Sequence, residues 1–180
     1  MVQRMSSQYN KSIILNIIEQ YPSLGKTAIM KILYILQQVK KMELNYDFSI
    51  YTYGPYSAGV IEDIDDLIKA TLIDVHAYEY NNYVGYNLNL TERGESKISG
   101  LPIGDKKIIK EVVSFVNKKP AKTMELLSTI IFIENQYAKN NWKHDQKDIV
   151  EKVREIKPHF KKQTISRTYK ILLEKKYIQP

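Results

Sequence analysis

The hydrophobic pattern of the first hundred residues changes between a helical and a strand period. Apolar residues recur at helical spacing in three segments, which predicts three amphipathic helices at residues 8–21, 24–39 and 56–72. The second helix has apolar residues on both sides, so we expect it to be central in its domain. Two runs of β-forming residues follow at 73–80 and 83–90, joined by Asn81-Asn82, and predict an antiparallel hairpin.

An aromatic segment lies between the second and third predicted helices. Every second residue from 46 to 50 is apolar or aromatic, as in a strand with one buried face. Gly54-Pro55 follows, and proline is tolerated in the first helical turn because its missing N–H would have no intrahelical partner. We therefore expect the strand to end there and the third helix to open at about Tyr56.

The order helix, helix, strand, helix, hairpin is that of a winged helix. The second half reads as helical, with segments predicted at 105–117, 120–139, 145–156 and 162–176. A short connection containing Pro158 joins the last two, and this pair resembles a helix-turn-helix. The predicted fold is mainly α with a small antiparallel sheet: a winged-helix-like N-terminal half and a helical C-terminal half containing a helix-turn-helix-like pair. The glycine-containing segment 100–104 places the boundary between two domains, 1–100 and 101–180.

Positive charge is concentrated in the second half. The first 100 residues carry nine Lys+Arg against eleven Asp+Glu, whereas the last 80 carry eighteen against nine. A basic surplus favours a polyanionic partner, either nucleic acid or an acidic protein. The last predicted helix offers a polar, mostly basic face, so the candidate nucleic-acid contacts are Lys161, Lys162, Gln163, Arg167 and Lys170. An ordinary solvent-exposed helix has the same pattern, and this alternative stays open.

Tyrosine is unusually frequent, with 14 residues of which eleven lie between Tyr9 and Tyr86. Exposed tyrosines provide large, rigid contact areas in protein interfaces and in base-stacking platforms. The candidates for protein contact are Tyr34, Tyr51, Tyr53, Tyr56 and Tyr83. The alternative is that the strand tyrosines pack across a small sheet.

Motifs for catalysis and cofactor binding are weak, so we predict no catalytic residue, no cofactor and no small-molecule substrate. Gly25-Lys26-Thr27 resembles the end of a phosphate-binding loop, but Gln20 stands where that loop requires glycine. The three histidines lack the spacing of a zinc site, and the chain has no cysteine. No metal site is predicted.

No segment is long and apolar enough for a membrane span or a secretory signal, so we expect no membrane partner. With no cysteine to form disulfides, a soluble cytoplasmic protein is the simplest expectation. A homodimer stays open.

Two motifs in the first half point to a known family. The helix LGKTAIMKILYILQ carries Lys26, Ile29, Lys31, Ile32, Leu33 and Tyr34, and the aromatic segment ends in Tyr53-Gly54-Pro55-Tyr56-Ser57. Over about residues 10–100 the chain resembles the YwgA-like family, which is related to the SocA-like antitoxin (Panacea) domain. This resemblance implies a module that acts by binding other proteins, and it supplies no catalytic residue.

The sequence therefore leaves two classes of function, neither of them enzymatic. A nucleic-acid-binding regulator of bacterial or phage type ranks slightly first because of the basic second half. The alternative is a protein-neutralising module of antitoxin or phage counter-defence type.

Overall fold

The computed structural model describes residues 2–80, 83–98 and 100–179, which form eight helices and four short strands. The helices are α1 (Val2–Gln20), α2 (Lys26–Gln38), α3 (Ala58–Lys69), α4 (Glu92–Glu95), α5 (Ile103–Val116), α6 (Ala121–Lys139), α7 (Gln146–Ile156) and α8 (Lys162–Glu174). The strands are β1 (Ser49–Tyr51), β2 (Gly54–Tyr56), β3 (Ile73–Tyr80) and β4 (Tyr83–Leu90). The predicted class, mainly α with a small antiparallel sheet, is confirmed.

Strands β3 and β4 form the predicted hairpin, in register from Ile73 opposite Leu90 to Tyr80 opposite Tyr83. Its turn, Asn81-Asn82, lies outside the described residues. At its base Ile73 and Leu88 are buried, and a single bridge joins Leu88 to Leu24. The winged-helix comparison for this half stays a prediction.

The aromatic segment differs from the prediction. Gly54-Pro55 does not open a helix: Gly54–Tyr56 is strand β2, which pairs antiparallel with β1, and α3 begins only at Ala58. Gly54 has a φ of 91°, a conformation that glycine adopts readily and that lets the chain reverse after Tyr53. The segment therefore forms a second hairpin, distinct from β3–β4.

Helices α2 and α6 lie at the centre of the structure. Eight consecutive residues of α2, from Ile29 to Leu36, are buried, which confirms the central position that its apolar residues predict. Helix α6 buries Met124 to Ile131 continuously and packs directly against α2. Helix α5 contacts both α1 and α2.

One core therefore includes residues from both sides of the 100–104 segment. Leu101, within that segment, is itself buried. The division into two domains stays a prediction, and the two halves share a hydrophobic core across it.

Candidate protein-binding site

The segment between α2 and α3 is held in place by side chains from the helices. Gln37 forms two hydrogen bonds with the backbone of Tyr46: its Oε1 accepts from the N–H and its Nε2 donates to the carbonyl, both at 2.9 Å. Asn10 Nδ2 of α1 donates to the carbonyl of Leu44 at 2.8 Å. Buried backbone groups need partners, and here polar side chains supply what a larger sheet would otherwise provide.

Lys31 anchors strand β2 of the β1–β2 hairpin. Its side chain emerges from the middle of α2, it is 3% exposed, and its Nζ donates to the carbonyl of Pro55 at 2.6 Å. Among the described residues no carboxylate lies within ion-pairing distance of this ammonium group. Burial of an unpaired cation costs several kcal/mol, so holding β2 through this contact carries a large desolvation penalty.

Lys157 anchors the other strand of the same hairpin and its turn. It lies in the connection between α7 and α8, is 3% exposed, and its Nζ donates to the carbonyl of Tyr51 at 2.9 Å and also to that of Thr52. Glu125 of α6 lies beside it, with Oε1 3.2 Å from Lys157 Nζ and 3.5 Å from His159 Nε2. These distances allow ion pairing, although neither contact has hydrogen-bond alignment.

The two lysines and one carboxylate form a cluster that is mostly out of water. Burial and, to a smaller extent, the positive charge of Lys157 lower the pKa of Lys31 to about 8, although the negative charge of Glu125 acts in the opposite direction. Glu125 is shared between Lys157 and His159, so the positive charge of Lys31 is the least compensated in the cluster.

Close packing against α6 completes the support of the hairpin. A Cβ added to Gly54 would lie 3.1 Å from Ser128 Oγ and 3.3 Å from Thr129 Oγ1, so β2 approaches α6 as closely as a glycine permits. Three elements thus determine the hairpin position: α2, α6 and the α7–α8 connection.

The outer side of this hairpin carries three exposed tyrosines. Tyr51 and Tyr53 are each 67% exposed and Tyr56 is 38% exposed. The rings of Tyr51 and Tyr56 lie 5.6 Å apart. We call Tyr51, Tyr53 and Tyr56 the tyrosine platform.

A small pocket opens beside the tyrosine platform, with a volume of about 110 Å³. Its walls come from α2, the hairpin and α3, and include Met30, Lys31, Tyr51, Tyr53, Tyr56 and Ile61. Pockets for cofactors and metabolites occupy at least about 300 Å³, so this one has the size of a single side chain.

Of the five tyrosines predicted to contact a partner, the three on the hairpin are exposed and adjacent. Tyr34 is 2% exposed and packs edge-on against Phe48, 5.0 Å between ring centroids, so its assignment to a contact surface was wrong. It lies on the face of α2 that meets the hairpin segment and α6. The side chain of Tyr83 lies outside the described residues.

The five predicted nucleic-acid contacts are all exposed. Gln163, Arg167 and Lys170 lie along one side of α8, and Lys161 directly precedes that helix. Lys162 is paired with Glu151 of α7, which partly neutralises its charge. Helices α7 and α8 pack against each other in the predicted helix-turn-helix-like pair, and a contact with nucleic acid stays a prediction.

Sequence reasoning missed the residues that support the platform, which are Lys31, Lys157 and Glu125. Lys31 was detectable, because it interrupts an apolar run in a helix expected to be central, where a lysine needs a specific partner. Lys157 had no such signal, since lysine before a proline is typical of an exposed connection.

The described residues contain no group of three His, Asp or Glu side chains placed to hold a metal ion. None of their helices is both long enough and apolar enough to cross a membrane.

The chain is similar to a curated bacterial protein. The chain is 28% identical over 115 residues to YwgA of Bacillus subtilis (strain 168), a protein named as uncharacterized. The alignment covers 62% of this chain and 66% of YwgA, so the chain spans slightly less than two thirds of that relative. No family model matches the chain. The similarity supports a YwgA-like relation, and the relation to the SocA-like Panacea domain stays a prediction.

The low pKa of Lys31 predicts a specific pH dependence of stability. Between about pH 8 and the ordinary lysine value of about 10.4, the unfolded chain keeps a proton that the folded chain has lost. The contribution of Lys31 to the free energy of unfolding should therefore rise with pH in this window. Chemical denaturation of the wild type and of Lys31→Met at pH 7.5 and pH 9.5 measures it.

The difference between wild type and variant isolates Lys31, because other titrating groups largely cancel. We expect wild-type stability to increase relative to Lys31→Met as the pH rises. Above about pH 10, the ordinary tyrosine value, a second effect sets in. Burial raises the pKa of Tyr34 and Tyr46 in the folded state, so the unfolded chain loses these protons first and the stability of both proteins falls as the pH rises further. A difference that is flat or falls from pH 7.5 to 9.5 would contradict the burial of a charged Lys31.

Proposed function

We propose that this chain is a non-enzymatic protein-binding module that presents the tyrosine platform to a partner protein. The observation that carries the proposal is the combination of three exposed, adjacent tyrosines with a side-chain-sized pocket on an anchored hairpin. Tyrosine is enriched among the residues that dominate interface energies, and such residues pair with pockets on the partner surface.

The anchoring of the hairpin supports this assignment. Lys31 donates to a carbonyl group of one strand and Lys157 to a carbonyl group of the other, so the rings start from a fixed backbone. A surface that is ordered before binding loses less conformational entropy when the partner docks.

The resemblance to the Panacea domain points in the same direction. Its implied mode of action is binding to other proteins, as an antitoxin or adaptor. The Tyr53-Gly54-Pro55-Tyr56-Ser57 motif that carries the resemblance forms much of the platform hairpin. We therefore place the module in the antitoxin-like or counter-defence class, with a toxin or host protein as its partner.

Removal of two platform rings should weaken binding of the partner without unfolding the module. Tyr51→Ala with Tyr53→Ala deletes two side chains that are mostly in solvent, so the melting temperature should change little. Affinity for a partner recovered by crosslinking and then purified should fall at least about 30-fold, or about 2 kcal/mol, the loss typical of a hot spot. Isothermal titration calorimetry measures both affinities.

Tyr86→Ala is the matched control. Tyr86 is 58% exposed on the other hairpin, so the variant removes a similar ring from a different surface. The control should bind as wild type does. Equal affinity of the platform variant and the wild type, or an equal loss in the control, would refute the platform as the binding surface.

Nucleic-acid binding through α8 is the second candidate, and one observation favours it. Gln163, Arg167 and Lys170 form a polar stripe on the exposed side of the second helix of a helix-turn-helix-like pair. The pairing of Lys162 with Glu151 reduces the charge at the start of that stripe. For this reason we rank it below the platform.

Reversal of two charges tests this candidate. Arg167→Glu with Lys170→Glu should abolish retention on duplex DNA and remove most of the salt dependence between about 50 and 200 mM, because phosphate contacts release counterions. Lys106→Glu with Lys107→Glu makes the same charge change on the exposed side of α5. If both variants lose DNA equally, or if the α8 variant binds as the wild type does, α8 is not a specific nucleic-acid surface.

A further inference from the structure

The pocket beside the tyrosine platform has a chemistry of its own. At about 110 Å³ it fits one side chain, and its lining is aromatic and aliphatic except for lysines and a threonine. The occupant must therefore be small, and its charge must be complementary to the charge of the walls.

The charge of the walls is positive. Lys26 at the rim is balanced by Asp65, whose Oδ1 lies 2.5 Å from its Nζ. Lys31 has no such balance: it is 3% exposed, and the carbonyl of Pro55 is its hydrogen-bond acceptor. The nearby Glu125 is already shared by Lys157 and His159. An ammonium group that is buried without a carboxylate is stabilised when an anion arrives.

The start of α2 adds to this positive potential. Lys26 and Thr27, both lining residues, form its first turn, and its N-cap Gly25 offers no side-chain acceptor to that turn. The N-terminus of a 13-residue helix favours negative charge through its unpaired N–H groups. The N-terminus of α2 and the ammonium group of Lys31 thus both favour a negatively charged ligand in this pocket.

We infer that this pocket receives the carboxylate of a glutamate or aspartate side chain from the partner protein, while the tyrosine rings cover its aliphatic stem. The inference rests on the proposed function and names the chemistry that the partner brings. A metal cation is repelled by Lys31. A neutral aliphatic side chain would fill the space but would leave that ammonium group uncompensated.

Propionate is a direct probe, because it is the glutamate side chain without its backbone. In ¹³C- and ¹⁵N-resolved NMR titrations of the full chain, propionate should shift the Met30 methyl and the platform tyrosine rings saturably. The dissociation constant should be on the order of 10 mM, since so few atoms gain little binding energy. Propionamide has the same shape without the charge and should bind at least about 10-fold more weakly. No saturable shift with propionate, or equal binding of the amide, overturns the inference.

Substitution of Lys31 tests whether its ammonium group is responsible for propionate binding. Lys31→Met removes the ammonium group and keeps most of the length of the side chain, so it should lose propionate binding at least about 10-fold. Lys69→Met, at an exposed lysine of α3, should not lose it. Equal binding by Lys31→Met and wild type would overturn the role of Lys31. If Lys31→Met does not fold, the comparison of propionate with propionamide on the wild type still decides.

Short peptides distinguish the source of the carboxylate. An acetylated, amidated alanine peptide with a central glutamate should displace propionate, and the matched glutamine peptide should not. Displacement only by a peptide with a free C-terminus would contradict a side-chain ligand. If binding of the partner depends on Tyr51 and Tyr53 but propionate does not bind, this inference fails and the proposed function stands.

Discussion

Two buried ammonium groups bonded to carbonyl oxygens of one hairpin are the interaction on which the rest of this structure depends. A three-residue strand pair gains little stability by itself. Lys31 from α2 and Lys157 from the α7–α8 connection supply hydrogen bonds that a wider sheet would provide. The energetic cost of burying them is offset by these bonds and, for Lys157, by Glu125. Without these hydrogen bonds, few contacts would hold the turn between β1 and β2 in one conformation.

This arrangement connects parts of the chain that are far apart in sequence. Lys157, which anchors the platform hairpin, directly follows α7 and lies five residues before α8, so this anchor comes from the connection between the last two helices. The hairpin also lies against α6, whose Ser128 and Thr129 closely approach Gly54. The continuous core therefore has a structural consequence, because the C-terminal helices fix the position of the hairpin that carries the N-terminal motif.

The sequence predicted those elements whose periodicity is strong. The β3–β4 hairpin, the central position of α2 and a helix start at Asp145 follow from local patterns and are present. The capping box that Asp145 forms with Asp148 is seen only in the structure. The failure at Gly54-Pro55 has a physical cause. Proline suits the first turn of a helix and equally an edge strand that donates no hydrogen bond at that position, and only contacts with α2 and α6 decide between them. The same limit explains Tyr34, whose burial depends on Phe48 and Phe132 from other elements. The three platform tyrosines were named from composition, whereas the lysines that position them become visible only in three dimensions.

The central claim is that buried charges hold the hairpin in one fixed conformation. Hydrogen exchange measured by mass spectrometry on peptides spanning residues 45–57 tests it in the double variant Lys157→Met with Glu125→Gln, which removes the charge pair without leaving either partner alone. The account predicts at least about 10-fold faster exchange in these peptides, with peptides from α5 close to the wild type. Wild-type exchange in the hairpin, or an equal acceleration throughout the chain, would contradict it.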